Sequence, residues 1–131
     1  MYVFTDIEGY SAFGSYEGNG SATAGPFIYT GFKPAWVMIK NTTITSTFSS
    51  WVIYDNARTP NNPCSQPLHA DSSTEEGKRT TGTTFSVADS SLDFLSNGFV
   101  PRTNYLEVNS NNDTFIYACF AEMPQKYAVA R

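Results

Sequence analysis

Several groups of residues in this sequence have the types and spacing to do chemistry, and each implies a different chemistry. Nucleophilic catalysis needs a base beside a serine or cysteine, and the one histidine, His69, lies in a stretch rich in Pro and Ser. No Gly-x-Ser-x-Gly elbow accompanies it, so His69 reads as a surface histidine. Cys64 precedes it by five residues but lacks further soft ligands at zinc spacing. Glycoside hydrolysis needs two carboxylates flanking a bond, and the closest acidic pair, Glu75-Glu76, falls in a polar loop and reads as solvated. Calcium takes hard oxygens from loops. Asn109, Asn111 and Asp113, with Asn112, are the candidate ligands, as are Asp55-Asn56 with Asn61-Asn62, although turns prefer the same residue types. Saccharide binding needs aromatic platforms beside polar hydrogen-bonders. Tyr54, Asp55, Asn56 and Arg58, at the polar end of an expected strand, are the surface candidates, while Trp36 is expected in the core. No catalytic residue and no cofactor beyond calcium is assigned, and the chain reads as a non-enzyme.

The elements that must position these residues are strands. Gly31 to Lys40 places Ala35, Val37 and Ile39 on one face and Trp36, Met38 and Lys40 on the other, with Pro34 tolerated at the strand's start. A run apolar on both faces predicts a strand at the centre of a sandwich, covered on both sides. Trp51 to Asn56 alternates more one-sidedly, and Thr114 to Glu122 sets Phe115, Tyr117 and Cys119 against Ile116, Ala118 and Phe120. Shorter strands are expected at Tyr2 to Ile7, Tyr10 to Tyr16, Pro26 to Thr30, Thr84 to Val87, Ser91 to Leu95 and Tyr105 to Val108, with Asn97-Gly98 as a tight turn. Pro60, Pro63 and Pro67 exclude a central strand, so 57–83 reads as one long irregular loop. Short strands separated by turn signals predict an all-β, antiparallel β-sandwich or barrel.

A chain of 131 residues suits a single domain with one core. Its net charge of −4, with eight Lys and Arg, disfavours a phosphate backbone as partner, so no nucleic acid is expected. No apolar stretch approaches the length of a membrane span and no signal peptide is evident, which predicts a chain outside the membrane. Cys64 and Cys119 read as two free thiols. Phe4-Thr-Asp6-Ile-Glu-Gly-Tyr10 echoes Phe120-Ala-Glu122-Met-Pro-Gln-Lys-Tyr127, as if residues 1–16 matched the closing strand of a preceding module in a tandem array.

Gly31 to Lys40, Trp51 to Arg58, Leu92 to Phe99 and Thr114 to Glu122, taken in that order, resemble a β-sandwich module of bacteriophage virion proteins. That module occurs, often in tandem, in tail fibres and other appendages of phages of aquatic bacteria. Glu8 to Tyr16 is similar to the segment joining successive copies. The resemblance implies a jelly-roll, lectin-like architecture and a virion location, on the tail or the capsid surface. It implies a fibre, appendage or decoration subunit that contacts other virion proteins, forms a homo-oligomer such as a trimer, and recognises a host-surface glycan. The alternative readings are a carbohydrate-binding module of a secreted bacterial protein and, behind it, a sandwich-fold glycosidase.

Overall fold

The computed structural model describes residues 1, 3–45, 49–78 and 91–122. Within them eight strands form two antiparallel sheets: β1 (Ser11–Glu17), β2 (Ile28–Tyr29), β3 (Pro34–Asn41), β4 (Val52–Asp55), β5 (Leu68–His69), β6 (Leu92–Leu95), β7 (Gly98–Pro101) and β8 (Thr114–Ala121). The larger sheet runs β1-β8-β3-β4-β5 and the smaller β2-β7-β6, so the chain forms the expected all-β antiparallel sandwich. The strand expected at Thr84 to Val87 lies outside the described residues.

The alternation in β3 decides how the sheets meet. Val37 stands opposite Cys119 on one side and Tyr54 on the other, and Ile39 opposite Tyr117 and Val52. Val37, Ile39, Val52 and Tyr54 are fully buried, which makes this the inner face. The smaller sheet covers it with Ile28, Leu92, Phe94 and Phe99. Phe99 meets Tyr117 edge-on at 5.4 Å and Tyr16 at 6.2 Å, and Tyr16 stacks on Phe115 at 5.1 Å. Each large apolar side chain buried in this way is worth roughly 1.5–3 kcal/mol, so these rings carry much of the cohesion between sheets. Gly14 makes room for one of them: a Cβ there would lie 2.9 Å from the Tyr117 hydroxyl.

Two expectations change here. Residues 57–78 form a bracket between the sheets rather than a structureless loop, and 79–83 lie outside the described residues. Cys64 exchanges backbone hydrogen bonds with Leu92 at 2.8 and 3.0 Å, the Asn62 amide pairs with the Phe94 backbone, and β5 then adds to the edge of the larger sheet. Proline excludes a central strand but permits this edge role. Tyr105 to Val108 is a helical turn rather than a strand. The Thr103 hydroxyl accepts the Tyr105 N–H at 3.1 Å, and the Tyr105 carbonyl accepts from Val108 and Asn109. A Thr side chain offering its oxygen two residues on starts a turn that period-two alternation does not reveal.

Candidate functional site

The outer face of the larger sheet is apolar. Trp36 and Met38 from β3, Ile116 and Phe120 from β8, and Phe13 from β1 all project away from the smaller sheet, and Trp51 joins them just before β4. They line a groove of about 310 Å³. Phe120 is its pivot, with ring centroids 5.6 Å from Trp36, 6.0 Å from Phe13 and 5.9 Å from Tyr10. Trp36 was expected in the core; it sits instead on the face opposite it, only partly buried, because its neighbour Val37 takes the inward position.

An arm of residues 3–7 closes one end of the groove. Ile7 and Ser11 exchange backbone hydrogen bonds at 3.0 Å, the Ser11 hydroxyl donates to the Thr5 carbonyl at 3.0 Å, and an Asp6 carboxylate oxygen accepts the Phe13 N–H at 2.7 Å. These contacts bring Phe4 to 5.6 Å from Phe13. Of the strand expected at Tyr2 to Ile7, residues 3–7 form a single bridge at Ile7, followed by a turn, and Tyr2 lies outside the described residues. Among the described residues the groove has no nucleophile, no carboxylate pair and no cluster of hydrogen-bonders. Its chemistry is contact with another apolar surface.

The saccharide candidates are placed otherwise. Tyr54 is fully buried on the inner face, so it is a core residue and not a surface one; its strand keeps alternating to the last turn of the ribbon. Asp55 and Arg58 clasp each other. The guanidinium also donates to Glu76 at 2.6 Å and to the Gln66 carbonyl at 3.1 Å. Burial raises the Asp55 pKa, but hydrogen bonds from Arg58 and its charge outweigh burial and hold the carboxyl below its ordinary value. The Asn56 N–H donates to the Ala35 carbonyl at 3.0 Å. This group ties the 57–78 bracket to β4.

The calcium candidates are likewise engaged within the fold. The Asn109 amide, fully buried, donates to Asn19, Ser21 and Thr103 and accepts from the Asn19 N–H at 3.0 Å. Asp113 accepts from Asn41 at 2.9 Å and from the Ser110 hydroxyl. Asn111 is exposed, beside Gly20. Among the described residues no group of His, Cys, Asp and Glu is arranged to hold a metal ion. His69, expected at the surface, is buried with its Nε2 3.3 Å from Glu107 Oε2, and both side chains are inaccessible. No periodic signal joins the two, which lie 38 residues apart.

The fold and the outer face together define a small two-sheet antiparallel β module. A family model, "Domain of unknown function (DUF7483)", matches residues 1–124, and the chain belongs to that family. No curated protein and no solved structure matches it. No helix among the described residues is long and apolar enough to cross a membrane.

Proposed function

We propose that this chain is a structural module of a bacteriophage virion, a fibre, tail-appendage or capsid-surface subunit that acts through contacts with its neighbours. One observation carries the reading: the apolar outer face, with both tryptophans of the chain in its groove. A monomer seldom leaves such a contiguous patch open to water, whereas a subunit surface is built from one. The sequence resemblance to phage appendage modules supports the same role, and the apolar lining of the groove suits contact with another surface. Host-glycan recognition would have to use loop residues, since a saccharide in the groove would find rings to stack on but few partners for its hydroxyls.

Two tests separate the parts. Mass spectrometry and labelling of purified particles of the phage encoding the chain should find it on the tail or capsid surface; particles without it would overturn the virion role. Binding on a glycan array that is lost when Asn56 or Asn111 is changed would favour recognition. A blank array would remove that part and also the alternative of a secreted carbohydrate-binding module.

A further inference from the structure

We infer that a second copy of this chain packs on the outer face of the five-stranded sheet, about a two-fold axis, with each arm (residues 3–7) keeping its place on its own groove and turning its exposed side to the groove of the other. The inference rests on the subunit-contact reading above and identifies the surface and its occupant.

Exposed apolar side chains are distributed unevenly. Nine large hydrophobic residues are exposed among those described, and six of them, Met1, Val3, Phe4, Ile7, Tyr10 and Ile116, belong to the arm, its turn or the outer face. Their exposures, from 37% for Tyr10 to 76% for Val3 with Met1 open throughout, amount to on the order of 500 Å², given roughly 150–250 Å² for an aromatic side chain and about half of that for an aliphatic one. The partly exposed rings of the groove add to this. A standard interface takes about 800 Å² from each partner, and the arm, its turn and the groove rings together approach that area.

The chemistry of the surface selects the occupant. The groove presents rings and aliphatic chains, so it offers nothing to a phosphate backbone and little to a sugar. A second copy fits for a geometric reason. The same side of the protein carries a concave element, the groove between Trp36, Trp51 and Ile116, and a protruding one, the arm with Val3 76% and Phe4 67% exposed. A two-fold contact can use that pairing twice, since each residue i meeting j is matched by j meeting i. Sheets also pack face to face with their side chains interdigitated, as the inner faces do here.

The two tryptophans make the contact directly observable. Mass by light scattering and tryptophan emission should be followed together from about 1 μM to about 300 μM, spanning the weaker end of standard-size interfaces. The mass should double while the emission moves to the blue and acrylamide quenching falls over the same range. Ile116→Arg and Phe4→Lys should each weaken association at least tenfold, and Tyr29→Lys, on the smaller sheet, should leave it unchanged. Phe4 is exposed and outside the core, so its variant keeps the test open if Ile116→Arg does not fold. A chain monomeric throughout, a trimer, or a dimer whose tryptophans and two arm-and-face variants are silent would each overturn the inference. A monomer that is nevertheless found in particles sinks this contact and leaves the virion role standing; a dimer absent from particles does the reverse.

Discussion

At the scale of single residues, the buried His69–Glu107 pair and the tight glycines set the clearest limits. Both members of the pair are inaccessible, and Glu107 Oε1 has no hydrogen-bond partner among the described residues, so the carboxylate depends on His69. Removing one partner of a buried pair leaves an uncompensated polar group, whereas replacing both with apolar residues removes the problem. His69→Leu should therefore cost about 3 kcal/mol in urea unfolding, and the double variant with Glu107→Leu should recover at least about 1 kcal/mol of that. A double variant worse than the single one would show that the pair is not acting as a unit. Gly18 is constrained sterically instead: a Cβ there would run into the Ser110 carbonyl oxygen and lie 2.9 Å from the Phe115 ring. Backbone on one side and a core ring on the other leave nothing free to yield. Gly18→Ala should thus lower stability by about 2–3 kcal/mol, read as a drop in the denaturation midpoint with an unchanged slope.

At the scale of elements, the bracket that follows β4 is held by the Asp55–Arg58–Glu76 group, and its behaviour with pH has a definite sign. Asp55 has a folded pKa below its ordinary value, so its contribution is complete above about pH 4 and is lost as pH falls through the folded value. Asp55→Asn should cost about 1–2 kcal/mol at pH 7, and that gap should close as the pH falls below about 4 and through the lowered folded value. A gap that does not shrink at all as the pH falls below about 4 would remove the clasp from the account. The strands themselves were legible in the sequence, because period-two alternation in 34–41 and 114–121 is a local signal that fixes which residues share a face. Alternation does not say which face the second sheet will cover. Val37 and Trp36 both looked like core, and only the position of the smaller sheet decides that Val37 is inside and Trp36 is on the groove. The partnerships of His69 with Glu107 and of Asn109 with Asn19 span 38 and 90 residues, and no spacing rule reaches that far. Tyr54 was misplaced for a related reason. The polar residues after it suggest a wet strand end, whereas alternation turns Tyr54 to the inner face that the smaller sheet covers.

At the scale of the whole molecule, the balance between apolar surface and net charge determines how copies meet. Each chain carries −4, so two copies repel weakly at long range, while the outer face attracts only at contact. Salt acts on the two terms in the same direction. Between 0.1 M and 1 M the Debye length falls from about 10 to about 3 Å, which suppresses the repulsion, and excluded salts strengthen apolar burial. The two-fold contact should therefore tighten several-fold across that range in sedimentation equilibrium, and sulfate should exceed chloride at equal ionic strength. An interface held by charged residues would behave oppositely and loosen with salt. The ion pairs near this side argue against that outcome. Lys33 is engaged with Glu122 of its own chain at 2.7 Å, and Lys40 donates to Ser49 at 3.1 Å, so few charges are left to pair across the axis. Association that weakens between 0.1 M and 1 M sodium chloride would place the contact elsewhere on the molecule, away from the aromatic groove.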